Sequence, residues 1–190
     1  MIMRKHLAGL ALTALAAGAG LGAQETRTGD AGFSLVCPLD GLKKITRQTG
    51  LAGGFTLELG TTGSVGGGTI PYRLSCSFND FPGREVDAVQ DTLMGVQVAG
   101  ELLTPLGGSR FTLSTGASLN GWRWDHQEPG FHDTQSIKGV KFGGRLGLDF
   151  RVSPRFSVLA LLQLTELGTD RQAIYGYNPS WLQVGARYHF

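Results

Sequence analysis

Apolar residues that alternate with small or polar ones, an excess of glycine, and connections that alternate short with long predict an all-β protein. The fold expected is a closed antiparallel up-and-down β-barrel of about eight strands. Glycine supplies 30 of the 190 residues, roughly twice the usual share, and shows no collagen period. Each glycine inside a helix costs about 1 kcal/mol against alanine, so this chain is a poor helix former. A coiled coil or a bundle of membrane helices is therefore excluded. The two cysteines exclude a disulfide-dense miniature fold.

The clearest strand lies at 139–152. Val140, Phe142, Leu146, Leu148, Phe150 and Val152 share one face, opposite Lys141, Gly143, Arg145, Gly147, Asp149 and Arg151. Similar alternation marks 70–78, 92–103, 110–122, 156–166 and 180–190, and it is weaker at 31–37 and 51–59. Three connections, at 60–68, 104–109 and 153–155, are short or glycine-rich. Four, at 38–50, 79–91, 124–138 and 168–179, are longer and more polar. An even strand count with short turns at one end and long loops at the other suits a membrane barrel whose termini share the short-turn, periplasmic side.

Residues 1–23 read as a secretory leader, which leaves 24–190 as the barrel. Arg4 and Lys5 precede an apolar run from Leu7 that ends in the small residues Leu21-Gly22-Ala23. Removing this segment takes away two bases and no acid, leaving 15 of each sign. A neutral mature chain carries no electrostatic footprint for nucleic acid.

Alternation alone does not say which face is wet, because a soluble lipocalin-like barrel alternates too. The polar face combines very small residues with charges of both signs: Glu58, Glu101 and Asp149 against Arg73, Arg145, Arg151 and Arg187. That mixture suits a narrow lumen crossed by an ion network, and Phe111, Phe142 and Phe150 suit a wall against acyl chains. The aromatic residues Trp122, Trp124, Tyr175, Tyr177, Trp181 and Tyr188 stand near strand ends, as interfacial girdles would require. The barrel is therefore expected to be transmembrane. In hydrocarbon it must close, which pairs 180–190 with the strand near 31–36.

The end of the chain carries a resemblance. Leu182, Val184, Ala186, Tyr188 and Phe190 alternate up to a terminal aromatic. This strand resembles the last strand of Gram-negative outer-membrane barrels of the OmpA/OmpW kind. The resemblance implies that these five residues act as the signal read by the barrel-insertion machinery. It also implies an outer-membrane location and outer-membrane lipids as surroundings. An external or periplasmic protein partner would be of unidentified kind.

Candidate chemistry is sparse. Cys37 and Cys76 belong to an oxidising compartment. A bridge between strands one and three needs Cys37 to have left its strand, which Pro38 would allow; otherwise both are lipid-facing thiols. His126 and His132 share a loop with Asp125, Glu128 and Asp133, but the spacing matches no metal motif, and a solvated acidic loop is expected. The loop with Asp80, Glu85, Asp87, Asp91 and Arg84 reads as a solvated tip. His189 is expected at the lumen rim in a structural role, with no serine beside it in sequence. The glycine-rich 63–68 lacks the lysine of a phosphate loop. Leu159, Leu161 and Trp181 fall on the lumen face, either as packing or as an apolar passage. No cofactor motif is present. The expected function is a non-enzymatic envelope barrel with long external loops and a filled, charged lumen. The alternatives are a narrow channel for small or hydrophobic solutes and, third, a lipid-modifying enzyme.

Overall fold

The computed structural model describes residues 28–51, 53–66, 70–108, 110–136, 140–165 and 178–190. The leader 1–23, Tyr175 and Tyr177 lie outside the described residues. Among the described residues nine strands and one helix follow in order: β1 Thr28–Pro38, α1 Asp40–Thr46, β2 Phe55–Val65, β3 Ile70–Phe81, β4 Gln90–Pro105, β5 Phe111–Glu128, β6 Phe131–Ser136, β7 Lys141–Ser153, β8 Phe156–Thr165 and β9 Trp181–His189.

Each strand pairs antiparallel with its sequence neighbour, apart from β6, which folds back only on β5. β5 also pairs with β7, and β1 pairs with β9 from Asp30↔His189 to Pro38↔Trp181. The result is a closed eight-stranded barrel, with β6 as an outgrowth above its rim. Closure pairs both edges of each of the eight barrel strands, which an open sheet in hydrocarbon could not do, and leaves a free edge only on β6 above the rim. The described ends, Thr28 and Phe190, lie with the short turns, where Gly29 and Phe190 exchange backbone hydrogen bonds of 3.1 and 2.9 Å.

The pleat sorts residues as the alternation predicts. Phe33, Leu35, Leu57, Leu59, Leu146, Val184 and Phe190 point outward and are exposed, Phe142 to 68% and Phe190 to 70%. Glu58, Arg73, Gln97, Glu101, Arg145, Gln163 and Arg187 point inward and are buried. A soluble protein does not leave such a continuous apolar exterior around a polar interior, whereas a lipid-facing wall does. The apolar belt is not uniform. On β7 and the residue before it, outward positions run from Val140 to Val152. On β2 the outward row is Phe55, Leu57 and Leu59, then Thr61 and Gly63, with Val65 apolar again beside the turn.

Parity corrects one expectation. Trp122 and Trp181 are no outer girdle: they are even and odd partners of inward Asn120 and Gln183, and both are buried in the lumen. Tyr188 does face outward. Two of the long loops are also structured. In the first, Leu42, Ile45 and Thr46 make one buried face of α1, Asp40 pairs with Lys44 at 2.8 Å, and Arg47 ends the helix at φ 56°. In the third, β5 continues past the belt and turns at Gly130, φ 76°, into β6.

The seam between β1 and β9 depends on a missing side chain. A Cβ at Gly185 would collide with the Phe33 carbonyl and the Ser34 hydroxyl of β1. Gly185→Ala is expected to lose about 1–3 kcal/mol in urea unfolding from detergent. Gly121→Ala, whose Cβ would meet only Val96 at 4.0 Å, should be near neutral, and equal losses would contradict the assignment.

Candidate functional site

The lumen is built in layers. The lowest is ionic. Arg73 on β3 reaches Asp30 (Nε–Oδ2, 2.9 Å), Glu58 (2.8 Å) and Glu101 (3.2 Å). Arg145 on β7 reaches Glu58 at 2.7 Å and Glu101 at 3.6 Å. Arg187 on β9 reaches Asp149 at 2.7 Å, Glu58 at 3.2 Å and Asp30 at 3.5 Å. Glu58 lies at the centre, against all three guanidiniums. Charges this deep are tolerable because the three guanidiniums, Glu58, Glu101 and Asp30 each have two or three partners of opposite sign, while Asp149, paired with Arg187 alone, is less deeply buried.

Two members differ from the sequence expectation. Asp30 joins the network although the β1 reading began one residue later. Arg151 does not take part: it follows Asp149 on β7, but the register shifts between Arg151 and Ser153, and its side chain is exposed at the short-turn rim.

A neutral polar layer lies above. Gln97 donates to Asn120 at 2.6 Å, Gln163 donates to Ser118 at 3.0 Å, and Thr56 donates to Asn79 at 2.9 Å. Leu159 and Leu161 are nearly fully buried here, beside Gly185 and Gly147 of the neighbouring strands. Leu161 lies 3.4 Å from where a side chain at Gly147 would begin.

The top layer is an aromatic plug. Phe81 lies 5.0 Å from Trp181 and 6.0 Å from Trp122, and Trp122 meets Trp181 edge-on at 5.8 Å. Val36 and Leu93 complete it from the wall, and Leu42 and Ile45 of α1 close it from above. The helix is tethered by Asp91, which is fully buried rather than part of a solvated tip. Its carboxylate accepts from Arg47 Nε (3.1 Å) and Trp124 Nε1 (3.0 Å), and His126 Nδ1 lies 2.7 Å away.

The loop histidines do not converge. Asp125 and His126 are adjacent on β5 and so point to opposite faces. His126 meets Asp91, whereas His132 meets Asp125 at 3.0 Å. Among the described residues no His, Cys, Asp and Glu cluster could hold a metal. Asp125 lies above the belt. Burial would raise its pKa, but hydrogen bonds from Thr134 and His132 outweigh that and hold the carboxyl below its ordinary value.

The cysteines are free. Cys37 stays within β1, and Cys76 is level with Leu59 and so with Ala31. That places the two sulfurs two strands and six residues apart, roughly 20 Å along the strand and 10 Å across. A disulfide would span at most about 7 Å between Cα atoms. Denatured protein alkylated without reductant should therefore gain two adducts, and a chain that gains none would restore the bridge.

One constellation escaped the sequence. Ser157 Oγ lies 3.0 Å from His189 Nε2 and 3.2 Å from Asp149 Oδ2. The two residues are 32 apart in sequence, and only the β8–β9 register, Ser157↔Arg187, brings them together. This pair lacks the arrangement of a working nucleophile. Ser157 is 1% exposed, enclosed by the wall with no room for a carbonyl beside its Oγ.

No family model and no curated protein matches the sequence. Solved structures do. Neisserial surface protein A aligns with a TM-score of 0.61 at 14% identity, over 88% of this chain and 100% of that one. The fold is that of the small outer-membrane barrels. Ail, the attachment invasion locus protein of Yersinia pestis, aligns with a TM-score of 0.56 at 12% identity, and the N-terminal barrel domain of Pseudomonas aeruginosa OprF with 0.54 at 11%. Both alignments cover 88% of this barrel and 100% of the other chain. At such identities the likeness is one of architecture.

Proposed function

We propose that this chain is an integral outer-membrane barrel of a Gram-negative bacterium, with its long-loop end outside and its short turns in the periplasm. Its role is structural or adhesive, through the loops, and not catalytic. One observation carries this reading: an apolar exterior encloses a lumen closed twice, by the Arg73–Arg145–Arg187 network and by the Phe81–Trp122–Trp181 plug. An eight-stranded interior is just wide enough for side chains, and these fill it. The outward row Leu182, Val184, Ala186, Tyr188 and Phe190 is offered to the insertion machinery before it becomes lipid-facing.

The channel alternative rests on Leu159, Leu161 and Trp181. Their burial supports packing, because Leu159 and Leu161 are almost wholly enclosed, Leu161 against Gly147, and the tryptophan belongs to the plug. Expressed with its leader, the protein is expected in the outer-membrane fraction, and the folded form should migrate apart from the boiled chain on a detergent gel. In planar bilayers it should give no large stepwise conductance. A water-soluble protein that needs no detergent would defeat the membrane reading, and porin-sized steps would defeat the closed lumen.

A further inference from the structure

Directly opposite residues of an antiparallel pair share a face. Ser157 is buried in the lumen wall, so its partner Arg151 has lumen-side parity. The Arg151 N–H donates to the Arg110 carbonyl at 2.8 Å. This bond extends the Phe111↔Phe150 register by one step and sets the two arginines opposite each other. On the next strand pair the His189 N–H donates to the Arg155 carbonyl at 2.9 Å, extending Ser157↔Arg187 in the same way. His189 Nε2 lies 3.0 Å from Ser157 Oγ, hence on the lumen side, and Arg155 shares its face. Arg151 is close enough for its charge to act on His189 across β8. Arg110, Arg151 and Arg155 are all exposed, so they stand on the inner lip of the barrel mouth at the short-turn end.

Like charges directly opposite each other destabilise a sheet, and here no acid offsets them. Among the described residues none of the three arginines has an ion pair. Asp149, the acid of this arc, is held by Arg187 at 2.7 Å and accepts from Ser157 at 3.2 Å. On the other half of the lip the lumen-side positions are uncharged: Thr28, Thr62, Ser64 and Leu103. The Arg73–Arg145–Arg187 network seals the lumen above, so the mouth is a vestibule open at one end only. A cleft of about 370 Å³ adjoins it at Arg155 and His189, within the size range of small-molecule sites. Two facing guanidiniums with a third on the next turn suit a multivalent oxyanion. Each planar fork can meet two phosphate oxygens, and the bound charge would relieve the Arg110–Arg151 repulsion.

We propose that the inner lip formed by Arg110, Arg151 and Arg155 binds a soluble multivalent phosphate, a pyrophosphate or phosphate ester, that enters the mouth from the short-turn end. The site itself needs only the closed barrel. That the periplasm supplies the ion rests on the outer-membrane reading.

The test is calorimetric titration of the folded full chain, in an uncharged detergent at about 0.15 M ionic strength, with inorganic pyrophosphate. The wild-type protein is expected to bind, and R110Q/R151Q/R155Q should bind at least about tenfold more weakly, since each exposed charge pair contributes up to about fivefold. K43Q/K44Q/R84Q, with the same charge removed from the other end, should match the wild type. Without pyrophosphate, R110Q should resist urea at least as well as the wild type, because it removes one of two facing charges. A destabilised R110Q would make the arginine pair a structural one and overturn the proposal. Equal affinity in wild type and triple variant would do the same, as would no binding by a wild-type barrel. Displacement of pyrophosphate by phosphatidylglycerol added to the micelles would move the site to the lipid face and also overturn it. Each sample is checked for the gel shift of a folded barrel: absence of that shift in the wild type counts against the membrane reading, whereas lost binding in a shifted variant speaks to this lip alone.

Discussion

Arg73→Met is expected to destabilise the barrel by about 3–5 kcal/mol, the usual cost of removing one partner from a buried ion network. Arg73 is 2% exposed and meets Asp30, Glu58 and Glu101 together. Without it, four carboxylates face two guanidiniums in a space that admits almost no water. Adding Glu58→Gln should restore part of the loss, because it returns the imbalance to a single negative charge. Urea titration of both variants in lipid vesicles, set against Glu58→Gln alone, measures the coupling. An Arg73→Met barrel within about 1 kcal/mol of the wild type would show that solvent reaches the network.

Trp181→Ala is expected to cost about 3–5 kcal/mol by opening a void in the plug. Its ring is held between Phe81 and Trp122 and covered by α1. Conductance should nevertheless stay absent, because the arginine layer below remains shut. The two closures lie in series, so either alone suffices. Stepwise current through Trp181→Ala would mean that the ionic layer is no barrier. Unchanged thermal stability would mean that the plug contributes little.

Legibility followed the physics of each segment. β7 and β9 could be read because large apolar residues alternate with glycine, arginine and glutamine, and their lipid exposure is now visible at Phe142 and Phe190. Asp30 was lost because Gly29 and Asp30 look like turn residues, although they pair with β2 and β9. The tryptophans were read by nearness to strand ends. Parity with Asn120 and Gln183 was in the sequence, and it places Trp122 and Trp181 inside. α1 has two apolar residues in seven, too few to show a period. β5 beyond Trp124 is polar on both faces once it leaves the belt, which hides its strand character, although Pro129-Gly130 marks the turn. Asp91 looked like one of several loop acids, and only the approach of Arg47, Trp124 and His126 reveals its burial. Ser157 and His189 meet through register alone, which no local spacing encodes.

The unevenness of the apolar wall acts on the surrounding lipid. From Val140 to Val152 the β7 side offers roughly 40 Å of strand, about 30 Å of depth at the tilt usual for such barrels. The β2 side is continuously apolar only from Phe55 to Leu59, about 10 Å of depth, before Thr61 and Gly63 interrupt the wall and Val65 resumes it. In a bilayer, acyl chains beside β2 would meet the Thr61 hydroxyl part-way down, whereas those beside β7 would meet only apolar or glycine positions. The lipid annulus would thus be uneven, with a polar notch lying against β2.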